Sequence, residues 1–237
     1  MRKIVKHYWS PQPAILDIVK QRAATSKIIV EVGPGVVPFE LATEFIDWLP
    51  NKSLAQYKVH TLDLNYEPLP YKDKSIDFIY CRHVVEDMYN PFWLCQEMIR
   101  VAKAGYIETP SPICECAKGV DGGSPPYRGY IHHRYLVWQE QSSLIFVPKY
   151  PIIEYLDFSD VDPFLLDTLN MGFLHWNTYF FWTDHFEVQV LQHDKDFYLH
   201  ENYKEVLLRA IEASYIANLE LGVEYQLPLL GSEEMVS

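Results

Sequence analysis

The chain has 237 residues, 49% of them hydrophobic and 15% aromatic, and its formal net charge at pH 7 is −12. This length and composition suit one α/β domain with additions and exclude a disordered chain. Phosphate backbones and anionic lipids repel an acidic chain, so we expect neither nucleic acid nor a membrane as a partner.

The lack of a membrane helix or signal peptide in the sequence and the spacing of its cysteines predict a cytoplasmic protein. No run approaches the roughly 18 apolar residues of a membrane helix. The first residues, Met1 to His7, lack the apolar centre of a signal peptide. The four cysteines follow no disulfide-framework spacing, which fits a reducing compartment.

The first half of the chain predicts helices alternating with buried strands, a pattern typical of a parallel sheet. Asn90 and Pro91 supply a cap and a first-turn proline for one helix, and Pro50 ends another. The predicted helices span 14–24, 39–48 and 92–103, and the predicted strands span 28–32, 58–62, 76–81 and 105–109.

The second half predicts a less regular arrangement. Residues 110–128 are rich in Pro, Gly and Cys and predict an irregular loop, long enough to be functional or mobile. A hairpin (135–138 and 144–147), a helix (162–170), a terminal antiparallel strand pair (176–182 and 186–191) and a long helix (203–221) follow. We expect one domain, with a cofactor-binding half at 27–110, an insertion or lid at 111–150 and a C-terminal part at 151–237.

The segment Lys27 to Gly35 reads Lys-Ile-Ile-Val-Glu-Val-Gly-Pro-Gly and combines a buried strand with a glycine turn. In an open α/β sheet this turn lies at the carboxyl edge, where ligands bind. A dinucleotide fingerprint would need a third glycine where Pro38 stands, and no Gly-Lys-Ser/Thr triplet marks a phosphate loop. The turn therefore indicates a nucleoside-type ligand without phosphates.

A second motif, Glu67-Pro-Leu-Pro-Tyr, leads through Asp77 to Cys81-Arg-His-Val-Val-Glu-Asp87. In this order and spacing, residues 27–110 resemble a class I S-adenosylmethionine-dependent methyltransferase of the small-molecule type. The resemblance implies a Rossmann-like, mostly parallel sheet with helices on both faces, a terminal antiparallel strand pair and an inserted loop or hairpin. It also implies S-adenosylmethionine as the cofactor and methyl transfer as the activity.

The resemblance also implies roles for particular residues. Glu31 would hold the amino-acid end of the cofactor, Asp63 would accept hydrogen bonds from the ribose, and Leu64 would flank the adenine. His83 and His133 are the candidate general bases, because histidine titrates near neutral pH. Tyr8 and Trp9 could close over the cofactor. The cofactor-binding set is Glu31, Gly33, Pro34, Gly35, Asp63, Leu64, Cys81 and Arg82.

The chain departs from the usual plan after Asp63, where residues 65–75 offer no helix and strand. Either these elements are deleted, or Asp63 serves where a later acid normally stands. Cys114, Cys116, His132 and His133 do not match zinc spacing, so we expect no metal.

The acceptor is expected to be a small molecule, with a protein or sugar as alternatives and a homo-oligomer left open. A non-catalytic protein that binds S-adenosylmethionine or S-adenosylhomocysteine is the alternative function, and a nicotinamide-dependent oxidoreductase is a weaker one.

Overall fold

The structure is a computed structural model that describes residues 11–35, 37–49, 54–122, 124–191 and 199–223. Tyr8 and Trp9 lie outside these ranges. The helices are α1 (Pro13–Ala23), α2 (Pro91–Val101), α3 (Pro112–Cys116), α4 (Asp162–Met171) and α5 (Leu199–Glu220). The strands are β1 (Ile29–Val32), β2 (Glu44–Asp47), β3 (Lys58–Thr61), β4 (Phe78–Arg82), β5 (Ala104–Pro110), β6 (Tyr135–Glu140), β7 (Ser143–Pro148), β8 (Asn177–Thr183) and β9 (Glu187–Val190).

The main sheet has six strands in the order β3-β2-β1-β4-β5-β8. The first five are parallel, and β8 pairs with β5 in the antiparallel sense. Val32 of β1 lies opposite Ile46 of β2 and Cys81 of β4, so these three strands end together at one edge. The predicted Rossmann-like, mostly parallel sheet is confirmed.

Side chains of the central strands alternate between two hydrophobic cores, as the pleat of a sheet requires. On one face, Val30, Val32 and Ile79 pack in the same core as residues of α2. On the other face, Ile29 and Phe78 pack in the same core as residues of α1. Helices therefore cover both faces, and strands buried on both sides explain the continuous apolar run of β1.

A second sheet has the order β6-β7-β9. β6 and β7 form the predicted hairpin, and β9 pairs with β7 in parallel, so only β8 of the expected terminal pair joins the main sheet. The predicted loop at 110–128 begins with the short helix α3, which Ser111 caps through a hydrogen bond from the amide of Cys114. α3 contributes buried side chains to a third core that also contains residues of β6, β7, α4 and α5.

The helix predicted at 39–48 is wrong, because residues 44–47 form β2 instead. Phe45 is buried in the core beneath α1, and Ile46 is buried in the core beneath α2. Neighbouring residues that face opposite cores need the two-residue period of a strand. Pairing with β1 on one side and β3 on the other overrides the local helical pattern.

The connection from β1 to β2 spans residues 33–43, and its described part contains no helix. Parallel strands usually need a helical crossover of a dozen or more residues. Here Thr43 fixes the return of the chain, because its hydroxyl accepts from the amide of Ile29 and donates to the carbonyl of the same residue, each at 3.0 Å. The Phe39 ring stacks on Tyr80 with centroids 4.4 Å apart, and both rings lie in the core that α1 shares with the sheet.

Within the described ranges, none of the helices combines the length and the apolar character required to cross a membrane. The longest helix, α5, carries charged residues along its 22 residues.

Two glycines in the turn after β1 have left-handed backbones, with φ of 70° at Gly33 and 54° at Gly35. A Cβ on Gly33 would lie 2.4 Å from Cγ2 of Val84, whereas a Cβ on Gly35 would meet no atom within 4 Å. Both alanine variants should lose about 1 kcal/mol or more to backbone strain. Gly33→Ala should lose about 1–3 kcal/mol beyond Gly35→Ala, measured by urea unfolding.

The double variant Gly33→Ala/Val84→Ala tests this contact. Its loss of stability should be smaller than the sum of the two single losses, because the second change removes the atom that clashes. Equal losses for the two glycine variants would contradict the packing role of Gly33.

Candidate functional site

The candidate site lies at the carboxyl edge of the main sheet, where β1, β2 and β4 end in ionisable side chains. Glu31 stands one residue before the end of β1, Asp47 ends β2, and Arg82 ends β4 and is followed by His83. Carboxyl ends of parallel strands form the usual ligand-binding crevice of such sheets. The fold therefore brings together groups that lie up to 52 residues apart in the chain.

Glu31 is buried, with 3% of its surface exposed. Its Oε2 accepts a hydrogen bond from the amide of Phe39 at 2.8 Å, which holds the glycine turn and the following chain against the sheet. Burial raises the pKa of Glu31 to about 7, although the Phe39 hydrogen bond and the Arg82 charge act in the opposite direction. Glu31 is thus a carboxyl group that a nearby cation would drive into its ionised form.

The glycine turn is held against β2 at Gly33 and is exposed at Gly35. The amide of Gly33 donates to the carbonyl of Ile46 at 2.9 Å, and Pro34 is buried. Gly35 is exposed, and no atom occupies the space where its Cβ would stand. A ligand can therefore approach the backbone at Gly35. At position 33, close packing against Val84 leaves no room for a side chain.

Asp47 is the acid that the sequence analysis missed, because it was placed in a helix. It ends β2, the strand next to β1, and it lies near enough to Glu31 to raise the pKa of that group. Its Oδ1 accepts from the amide of Trp48 at 2.8 Å. The sequence does contain a signal for this acid, because the apolar pair Phe45-Ile46 is followed by Asp47, 12 residues after Gly35.

Asp63 follows β3, which lies at the edge of the sheet two strands away from β1. Its Oδ1 accepts from the backbone amide and the side-chain amide of Asn65, each at 3.0 Å, and these bonds lower its pKa. This is the geometry of an aspartate that closes a turn. The strand that the sequence did not predict is thus β2, which lies before β3. Asp63 therefore follows the third strand of the chain and not the second.

Three other residues expected to bind the cofactor make protein contacts. The side chains of Leu64 and Cys81 are buried in the core on the α2 face of the sheet. Burial raises the pKa of the Cys81 thiol well above its ordinary value, so it stays protonated. Arg82 is mostly buried, and its Nε lies 3.0 Å from Oε1 of Glu108.

His83 has a left-handed backbone with φ of 54° and a side chain that is 8% exposed. Its Nδ1 lies 3.4 Å from Oε1 of Glu86, and its Nε2 lies 3.6 Å from Oε1 of Glu108. Burial, followed by the charges of Arg82 and His133, lowers its pKa well below the ordinary value. His83 is therefore neutral at physiological pH.

Glu86, on the same loop, is buried, and burial raises its pKa to about 8. Together, Glu86 and His83 form a pair of uncharged titratable groups at the carboxyl edge. Strongly shifted pKa values of this kind often mark a functional site.

His133 is also buried, and its Nδ1 lies 2.6 Å from Oε1 of Glu115. Lys149 forms an ion pair with the other oxygen of Glu115 at 2.5 Å. These two partners hold the pKa of Glu115 down at about 2, and Glu115 in turn raises the pKa of His133. The structure brings the two candidate bases near enough for their charges to interact.

The buried carboxyl group of Glu31 predicts a pH dependence of stability. Its protonated form is favoured in the fold, so its contribution is complete below about pH 4.5 and is lost as pH rises through 7. Glu31→Gln keeps an acceptor for the Phe39 amide and cannot ionise. Between pH 5 and 8 this variant should lose less stability than the wild type, by on the order of 2 kcal/mol in urea unfolding.

Glu212→Gln, on an exposed position of α5, controls for the removal of one negative charge. It should follow the wild-type pH dependence. A Glu31→Gln variant whose stability falls as steeply with pH as that of the wild type would exclude the raised pKa.

Comparison with known proteins agrees with this geometry over part of the chain. Residues 17–107, less than half of the chain, match the family described as "Methyltransferase domain". A search of curated proteins found no match.

Similar solved structures include an S-adenosylmethionine-dependent methyltransferase from Mesorhizobium loti, at 19% identity and a TM-score of 0.35, over 44% of this chain and 54% of that one. Another, from Thermotoga maritima, is described as a possible histamine N-methyltransferase, at 21% identity and a TM-score of 0.34, over 44% of this chain and 53% of that one. The chain thus spans about half the length of these two structures, and at such TM-scores they carry no argument about function. Residues 17–107 match a methyltransferase domain, and the resemblance of this chain to the class I S-adenosylmethionine-dependent methyltransferases is confirmed.

Proposed function

We propose that the chain binds S-adenosylmethionine at the carboxyl edge of β1, β2 and β4 and transfers its methyl group to a small neutral or cationic acceptor. The observation that carries the proposal is the position of Glu31 and Asp47 near the ends of the adjacent strands β1 and β2, beside the exposed turn at Gly35. The family match of residues 17–107 supports it.

The residues present fit this cofactor by charge. The cofactor carries an ammonium, a sulfonium and a carboxylate, so its net charge is positive, and the edge presents Glu31 and Asp47, with Arg82 already paired to Glu108. Glu31 would face the ammonium of the amino-acid end, and Asp47 would accept hydrogen bonds from the two ribose hydroxyls, since one carboxylate can accept both. We assign the ribose role to Asp47 rather than Asp63, because β2 adjoins β1 and β3 does not.

Bound S-adenosylmethionine supplies an activated methyl group on a positively charged sulfur. The protein then has to align the acceptor, exclude water and, for a protonated acceptor, accept one proton. We assign proton acceptance to His83, which is neutral, buried and 3.4 Å from Glu86. His133, the other candidate base, is already bonded to Glu115.

Calorimetry with S-adenosylmethionine and S-adenosylhomocysteine tests cofactor binding. The wild type should bind both compounds with a dissociation constant of about 1 μM, which corresponds to a binding free energy of about −8 kcal/mol. Asp47→Asn should weaken binding by about tenfold or more, because hydrogen bonds to a charged acceptor are lost. The matched variant Asp63→Asn should stay within about threefold of the wild type, since its bonds to Asn65 are local.

If Asp63→Asn weakened cofactor binding more than Asp47→Asn, the ribose would instead be bound by Asp63. Failure of the wild type to bind either compound would refute the proposed function.

Mass spectrometry of an acceptor panel tests catalysis separately from binding. His83→Asn keeps a residue that tolerates a left-handed backbone and removes the imidazole. It should bind S-adenosylhomocysteine like the wild type and methylate hydroxyl or ammonium acceptors at least about a hundredfold more slowly. Unchanged turnover would exclude His83 as the base, and cofactor binding without turnover on any acceptor would favour a non-catalytic binding protein.

A further inference from the structure

Three potential metal ligands converge beside the candidate site. They are Asp87, His132 and His133, and one donor atom of each lies within 4.8 Å of the other two. Oδ1 of Asp87 is 3.8 Å from Nε2 of His133 and 4.0 Å from Nε2 of His132. A metal with bonds of about 2.0–2.1 Å places tetrahedral ligand atoms about 3.4 Å apart, so the donor pairs, which lie up to 4.8 Å apart, would have to close by up to about 1.4 Å.

Backbone contacts hold the two parts of this cluster together. Asp87 lies on the loop after β4, and the histidines lie just before β6. The amides of Arg134 and Tyr135 donate to the carbonyl of Glu86 at 2.8 and 3.3 Å. Nε of Arg134 donates to the carbonyl of Asp87 at 3.0 Å. The approach of the donors therefore follows from the fold and does not depend on flexible side chains alone.

His133 is oriented as metal-binding histidines commonly are. Nδ1 lies 2.6 Å from Oε1 of the buried Glu115, which directs Nε2 towards Asp87. A carboxylate on one ring nitrogen fixes the tautomer that offers the other nitrogen to a metal. Lys149 balances the charge of Glu115, so this carboxylate supports the imidazole without itself serving as a ligand.

We propose that Asp87, His132 and His133 bind one divalent cation of the zinc type. Imidazole ligands favour Zn²⁺ and related first-row metals over Mg²⁺, which prefers oxygen ligands. Asp87 and His132 are exposed and His133 is buried, so three protein ligands would leave a coordination position open towards solvent, as in catalytic zinc sites. The site adjoins the His83 loop, where an acceptor hydroxyl or water could bind to the metal.

The sequence predicted no metal, because the spacing of Cys114, Cys116, His132 and His133 does not match that of zinc sites. Both cysteines are residues of α3 and are completely buried in the core that α3 shares with α4 and α5, outside the cluster of metal ligands. Asp87, which the sequence separates from the histidines by 45 residues, takes their place. The proposal does not rest on the methyl-transfer function.

Metal titration of the full chain tests the site. The protein, without a histidine tag and dialysed against a chelator, is titrated with Zn²⁺ and Mg²⁺ by calorimetry, and Co²⁺ is added as a spectroscopic probe. We expect one Zn²⁺ per chain at micromolar or tighter affinity, no measurable Mg²⁺ binding, and visible Co²⁺ absorption of a low-coordinate nitrogen and oxygen site.

Two variants should weaken Zn²⁺ binding by about tenfold or more: His132→Ala, at an exposed position, and Asp87→Asn, which keeps the side-chain shape. His185→Ala, at an exposed turn after β8, is the matched control and should bind Zn²⁺ like the wild type. Circular dichroism shows whether the variants remain folded. Absence of stoichiometric binding to the wild type, or equal affinity in His132→Ala, Asp87→Asn and His185→Ala, would overturn the proposal.

Discussion

The hydrogen bond between the buried carboxyl group of Glu31 and the amide of Phe39 is the interaction on which the arrangement of the edge depends. It ties the turn after β1 to the strand that precedes it. It also places Phe39 on Tyr80, in the core that α1 shares with the sheet, and the described part of residues 33–43 around Phe39 contains no crossover helix. The same carboxyl group is the acid nearest to the glycine turn. One residue therefore serves both the fold and the proposed cofactor site.

The short connection has a consequence for the electrostatics of the edge. Because β2 follows β1 closely and pairs with it in register, Asp47 lies at the same end of the sheet as Glu31. The charge of Asp47 adds to the effect of burial and raises the pKa of Glu31 further. A cation bound between them would relieve both costs. The edge is thus better suited to a positively charged nucleoside than to a phosphate.

The sequence predicted the parallel sheet because its strongest signals are local. The apolar run before Gly33, the Asn90-Pro91 helix start and the β6–β7 hairpin all depend on neighbouring residues, and each is confirmed. The helix predicted at 39–48 failed because only pairing with β1 and β3 shows that Phe45 and Ile46 face opposite cores. Because Asp47 lies within this predicted helix, its position at the carboxyl edge of the sheet was not predicted either.

The clustering of Asp87 with His132 and His133, and the support of His133 by Glu115, depend on contacts between distant segments that no local pattern encodes.

The number of protons released on cofactor binding tests the central role of Glu31 most directly. It is measured by calorimetry of S-adenosylmethionine binding at pH 6 in two buffers with different ionisation enthalpies. Glu31 is mostly protonated there, so the wild type should release more protons than Glu31→Gln, by a substantial fraction of one proton. The same proton count in both proteins would contradict the account, because the cofactor would then bind without ionising Glu31.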